Sequence, residues 1–290
     1  MTSALRIFLL IVAGSLMSVT AGAQTTTKST AMPVSKVRYE PLPQPEIDRI
    51  IRTFSTKETE FRKALNEYGF TREATVRTIS RLGKHITGEF HLVSAFAFDD
   101  KGKRVETVLH APLSTLTEIQ MTNEDLEDLG GIQPYALEAE KIGQYNFTYI
   151  GREKIDELDL YVFDVTPKVI DEKKVSVRFF KGRIWVDDQD LMIVKVRGKG
   201  VPEGKQRFPI FETYREHIDG KFWFPTYTYS DDELVFPNGQ IVHMQMLVKF
   251  TRYREARGSV RIIDDNNEII DDSEPKPTTP AKPAEPPKKP

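Results

Sequence analysis

The stretch from Tyr145 to Gly200 constrains the fold more than any other part of the chain. It begins YNFTYIGREKIDELDLYVFDVTP and, after a short polar link, continues VSVRFFKGRIWVDDQDLMIVKVRGKG. Tyr145, Phe147 and Tyr149 alternate with Asn146, Thr148 and Ile150, which places the aromatics on one face of a strand. Gly151 breaks that run, and Lys154 to Asp159 (KIDELD) is a polar link. Leu160 to Val165 is rich in β-branched and aromatic residues and ends at Pro167, which cannot donate to a ladder. Val175, Val177 and Phe179 again fall at period 2. Lys181-Gly182 reads as a bulge or bend inside a long strand. Ile184 and Val186 continue that strand, with Trp185 on its other face. Asp187 to Asp190 is a turn by composition, and Met192, Val194 and Val196 form the next face. Four antiparallel strands, hairpin after hairpin, account for this pattern.

The flanking sequence sets the compartment and the class. Arg6 precedes an apolar run from Ile7 to Val19, too short to span a bilayer, and Ala21-Gly22-Ala23 offers a small-x-small cleavage site. Residues 1–23 therefore read as a secretory signal peptide, and the mature chain as a periplasmic protein with no membrane span. The 290 residues suffice for one large β domain, and a net charge of −2 gives no broad attraction to nucleic acid. The chain holds no cysteine, which excludes disulfides, thiolate metal sites and a cysteine nucleophile.

Residues 24–44 form a Thr/Ser-rich lead-in. Pro45 to Tyr68 is the only long helical pattern, with Ile47, Ile50, Ile51, Phe54, Phe61, Leu65 and Tyr68 on one side. Ser55 followed by Glu58 resembles a capping box, which predicts a break there. Phe70 to Leu82 carries many charges and reads as an exposed or edge strand. Glu89 to Phe98 and Arg104 to Ala111 flank the loop DDKGK as a hairpin. Thr117 to Met121 is expected as a short strand, and Thr122 to Leu129 as a short helix stopped by Gly130-Gly131. Beyond the central block, Arg207 to Ile218 and Lys221 to Leu234 pair across Asp219-Gly220, the strongest hairpin signal in the chain. Pro237-Asn238-Gly239 turns into a long strand from Gln240 to Arg254, with Met244 and Met246 on one face. From Asp264 onward a Pro/Lys-rich tail cannot bury a core.

The expected fold is α+β. A strongly curved antiparallel sheet of about ten strands forms an unclosed half-barrel, covered on its concave face by the N-terminal helix. It occupies residues 45–263, with 264–290 as an extended tail. No catalytic or cofactor signature accompanies it. The histidines His85, His91, His110, His217 and His243 have no zinc spacing, and neither a Gly-x-Ser-x-Gly elbow nor a phosphate loop occurs.

An export signal, an amphipathic helix and a β-meander together resemble the LolA/LolB lipoprotein-carrier superfamily, which includes the N-terminal domain of RseB. The residues that carry the resemblance are YNFTYIGREKIDELDLYVFDVTP and RIWVDDQDLMIVKVRGKG, and it extends from the helix to Arg254. It implies a hydrophobic cavity under a helical lid, holding lipid or the acyl chains of a lipoprotein, without catalysis or cofactor. The expected lining is Phe90, Leu92, Phe96, Phe98, Phe147, Tyr149, Tyr161, Phe163, Val177, Phe179, Met244 and Met246. Ile47, Ile50, Phe54 and Phe61 form the lid face. Two rival readings use the same sequence. In one, an envelope sensor of the RseB kind engages a protein partner through its tail. In the other, an exported enzyme assembles its site from distant residues.

Overall fold

The computed structural model describes residues 37–83, 85–122, 125, 137–171, 178–204, 206–218 and 220–256, with the backbone of 261–263 and 269–271. The expected signal peptide, most of the expected lead-in and Val177 lie outside them. So do the 122–129 helix, apart from residues 122 and 125, and most of the tail.

Helix α1 (Gln44–Leu65) starts with Pro45 in its first turn beside Glu46 and ends with Arg62 and Lys63, charges that oppose the helix dipole. It buries Ile50, Phe54, Glu58, Phe61 and Leu65, one stripe at helical spacing. The expected break at Ser55 does not occur. The Ser55 hydroxyl donates to the Arg52 carbonyl at 2.9 Å, a bond within a continuous helix, and Glu58 is engaged elsewhere.

Strands β1 (Tyr68–Ile79), β2 (Ile86–Phe98) and β3 (Arg104–His110) follow α1. After a 3-10 turn at Ile142–Gln144 come β4 (Tyr145–Ile155), β5 (Leu158–Pro167), β6 (Phe179–Asp187) and β7 (Ile193–Val201). The series ends with β8 (Phe211–Ile218), β9 (Phe222–Val235) and β10 (Ile241–Glu255). These strands build one antiparallel sheet in the order β3-β2-β1-β10-β9-β8-β7-β6-β5-β4. The meander from β4 to β10 thus joins the β1–β3 meander through the β1–β10 pair. The sheet remains unclosed, with β3 and β4 at its edges. A separate ladder pairs β11 (Arg261–Ile263), at the end of the expected domain, with β12 (Ile269–Asp271), inside the stretch expected to be an extended tail.

Two expectations from charge and glycine placement are corrected. Strand β1 lies between β2 and β10 and is not an edge. Its charges are matched on other strands, Arg77 to Glu89 of the adjacent β2 at 2.6 Å and Arg72 to Glu106 of β3, one strand further, at 2.9 Å. Gly182 marks no bulge. It pairs in register with Gly198 of β7, and the irregularity falls between Trp185 and Val186.

One face of the sheet carries two apolar clusters, and α1 contributes to both. Toward its start, Ile50 and Phe54 pack with Phe163, Val165, Ile184, Val186 and Phe211. Toward its end, Phe61, Ala64 and Leu65 pack with Tyr68, Val76, Phe224 and Val248. Each fully buried side chain of this size contributes about 1.5–3 kcal/mol over its exposed state. On the opposite face Trp185 is buried with Leu160, Val162 and Val194, as period-2 alternation requires. Trp185 donates through its indole N–H to Glu153 at 2.7 Å.

Candidate functional site

The site is a pocket of about 500 Å³ on the side of the sheet that faces α1. Its floor comes from strand alternation. Met244 and Met246 project from β10 on the same face, Val76 of β1 lies opposite Met246, and Leu234 of β9 lies opposite Val242. Phe211 of β8, Gly200 of β7 and Phe236 complete it. Buried hydroxyls beside the floor are paired. The Thr213 and Thr228 hydroxyls lie 2.9 Å apart, and Ser230 donates to the Ile210 carbonyl at 2.7 Å. The floor therefore presents mainly apolar surface to whatever enters.

Two irregular segments make the walls. The first is the strap 117–122. The sequence predicts a strand here, and none forms. Its path across the sheet is fixed at Thr115, whose N–H donates to the Glu89 carbonyl at 2.9 Å. Gly88 of β2 permits that approach, since a Cβ there would lie 2.6 Å from the Thr115 carbonyl oxygen. Gln240 Nε2 donates to the Glu118 carbonyl at 3.1 Å, and the Thr87 hydroxyl donates to Glu118 Oε1 at 2.7 Å. Ile119 and Met121 turn inward and pack against the second cluster. At the far end, Thr122 N–H donates to Asp125 at 2.9 Å, and the Asp125 N–H returns a bond to the Thr122 hydroxyl.

The second wall is the 206–209 link ahead of β8, with Gln206, Arg207, Phe208 and Pro209. The sequence predicts a strand from Arg207, but β8 begins only at Phe211. The broken alternation of Phe208, Ile210 and Phe211 was the signal for this. Phe208 N–H is held by Glu203 Oε1 at 3.0 Å.

Of the sixteen residues expected to line a cavity, Met244 and Met246 lie on the pocket. Ile50, Phe54, Tyr161 and Phe163 are buried in the first cluster, with Ile47, Phe147, Tyr149 and Phe179 packed against it. The Phe54 ring lies 5.6 Å from Phe147 and 6.1 Å from Phe163. Phe61 and Phe90 belong to the second cluster. Leu92 is buried, Phe98 is half-buried, and Phe96 stacks on Phe70 at 4.7 Å beneath the Arg72 guanidinium. The Tyr149 hydroxyl is buried without a hydrogen-bond partner, and burial first, then the nearby Glu40 carboxylate, push its pKa up to about 12. Val76, Ile119, Met121, Arg207, Phe208, Leu234 and Phe236 are lining residues that sequence reading did not single out. Among the described residues no group of three or more His, Asp or Glu side chains is placed to hold a metal ion. No described helix is long and apolar enough to cross a membrane.

No protein-family model matches the chain, and no curated protein matches it. Two solved structures match it over most of their own length. A DUF1329 family protein from Desulfovibrio piger is 15% identical, with 72% of this chain and 93% of that one covered at a TM-score of 0.37. A LolA superfamily protein, NE2245 from Nitrosomonas europaea, is 14% identical, with 75% and 94% covered at a TM-score of 0.31. The superfamily named from the sequence is thus among the matches, at a similarity that says nothing of ligand or partner.

Proposed function

We propose that this protein is a non-catalytic carrier that binds a lipid, or the acyl chains of a lipoprotein, in the pocket between the 117–122 strap and the 206–209 link. The pocket's size and walls carry this reading. A volume of about 500 Å³ lies within the range of roughly 300–1,000 Å³ usual for small-molecule sites. Methionines adapt to irregular apolar ligands better than branched side chains do. An acyl chain gains about 0.8 kcal/mol per CH₂ removed from water, on the order of 10 kcal/mol for a whole chain. A soluble carrier therefore needs a pre-formed apolar recess more than it needs reactive groups.

The finer features belong to the same proposal. The apolar run Ile7 to Val19 and the Ala21-Gly22-Ala23 site support export to the periplasm. Helix α1 covers the concave face of the sheet, and the cargo is an outer-membrane lipoprotein in transit. Organic-solvent extraction of the purified chain followed by mass spectrometry tests the central claim. An acyl compound in stoichiometric amount is expected, and Met246→Trp, which fills the pocket, is expected to lower it severalfold. A chain that carries no acyl compound and takes up none from vesicles would sink the carrier reading.

A further inference from the structure

We infer that the pocket selects an amphiphile with an anionic headgroup, a carboxylate or a phosphate monoester, and that Arg207 is the residue that holds it. The inference rests on the reading of the pocket as an apolar ligand site. Arg207 lines that pocket. Its Nε donates to the Val235 carbonyl at 2.6 Å, and its Nη1 donates to the carbonyls of Gln206 at 2.6 Å and Gly204 at 3.1 Å. Three carbonyl bonds fix the plane of the guanidinium but leave its charge without an anion. Among the described residues no carboxylate pairs with Arg207, whereas Arg62, Arg72, Arg77, Arg183 and Arg215 each have one. The Nη2 edge has no partner among the described residues, which leaves donors for a planar or tetrahedral oxyanion.

The carboxylates around the rim, Glu118 and Asp125 of the lining among them, make no ion pair with Arg207 among the described residues. Glu203 accepts Phe208 N–H and pairs with Lys199 at 3.1 Å. Asp232 accepts the Ile210 and Glu233 N–H groups. Glu118 accepts the Thr87 hydroxyl, and Asp125 is bonded to Thr122. A second cation reinforces the same wall: the Arg178 guanidinium lies 4.5 Å over the Phe208 ring and donates to Gln206 Oε1 at 3.0 Å. An apolar recess with a fixed, uncompensated guanidinium at its wall is matched by a long alkyl tail ending in an anion. A charge-assisted bond of this kind is worth about tenfold or more in affinity.

Three ligands with the same tail separate the outcomes: palmitate, hexadecyl phosphate and hexadecanol, each competed against a fluorescent fatty-acid probe on the full, delipidated chain. At least one anion is expected to bind about tenfold tighter than the alcohol, and the stronger of the two identifies the headgroup. Arg207→Gln should erase that preference, lowering affinity for the anion far more than for hexadecanol, and Arg207→Lys should keep part of it. Retained hexadecanol binding, with a circular dichroism spectrum like the parent's, shows that the variant is folded. Equal affinities for alcohol and anions, or a preference that survives Arg207→Gln, would overturn the headgroup assignment and leave the carrier reading intact. If none of the three binds, the carrier reading fails and takes the assignment with it.

Discussion

The carboxylate of Glu58 on α1 receives both Nη atoms of Arg215 on β8, at 2.5 and 3.1 Å. Both side chains are almost completely buried. The guanidinium also lies 4.2 Å over the Phe61 ring and donates to the Ile193 carbonyl. The pair ties the middle of the helix to the middle of the sheet. Removing one member leaves the other charged and dry, which costs about 3–5 kcal/mol, whereas replacing both with apolar side chains is often neutral. Glu58→Ala and Arg215→Met are each expected to lower the urea midpoint sharply, and Glu58→Leu/Arg215→Met to recover most of it. A double variant as unstable as the sum of the singles would show that the two residues act independently.

The opposed glycines of β6 and β7 make a second prediction. A Cβ on Gly182 would lie 2.2 Å from the Arg197 carbonyl oxygen, and one on Gly198 would lie 2.5 Å from both the Lys181 carbonyl oxygen and the Phe180 ring. The pair leaves room for the fully buried Phe180. Gly182→Ala is expected to destabilise by about 1–3 kcal/mol, because its clash is with backbone. For Gly198→Ala a smaller residue at 180 removes only the ring clash, so Gly198→Ala/Phe180→Leu should remain less stable than Phe180→Leu alone. Thermal unfolding of the four variants checks this.

These contacts show where the sequence was legible. The β4–β5 and β8–β9 hairpins and the α1 stripe follow from local periodicity, and the structure has them. Val194 and Val196, expected on one face, lie on opposite faces because the β6–β7 register shifts beside Trp185. Long-range pairing is not local. That β1 lies inside the sheet depends on β10, more than 150 residues away. Charges at 72 and 77 misled because their partners are on other strands. Glu58 sat in the stripe between Phe54 and Phe61, and a carboxylate at that spacing signals a buried partner as much as it signals a cap. The pocket walls were hardest to see, because they come from segments without periodicity. Thr117 to Met121 alternates like a strand but has no neighbouring strand with which to pair.

On the outer face the Asp231 carboxyl is held below the ordinary range. Burial pushes it up, but bonds from His243 at 2.5 Å and from Gln245 and Tyr229, each at 3.1 Å, outweigh that cost. The folded value is the lower one. The resulting stabilisation is therefore complete above the unfolded value of about 4 and fades as pH falls through the folded value. Asp231→Asn should be less stable than the parent at neutral pH, and the gap should close below about pH 4. Urea midpoints across pH 2–7 measure it. A gap independent of pH would mean the carboxylate's charge contributes nothing.

The same contrasts in anchoring decide where the pocket opens. Helix α1 is fixed by the Glu58–Arg215 pair and by Ile50, Phe54 and Phe61, each essentially inaccessible to solvent. Between Leu116 and Met121 no backbone–backbone hydrogen bond is made among the described residues, and the strap rests on Ile119, Met121 and the side-chain bonds of Gln240 and Thr87. Segments with few backbone bonds and little buried area open at the lowest free energy. Ligand entry is therefore expected to move the strap, while α1 stays docked. Amides of 117–122 should exchange orders of magnitude faster than those of 50–61, and a bound acyl chain should slow the strap alone. Met121→Ser should speed both strap exchange and ligand release severalfold with little change in global stability. Equal protection of strap and helix, or release rates that respond to Glu58→Ala and not to Met121→Ser, would place the gate at the helix instead.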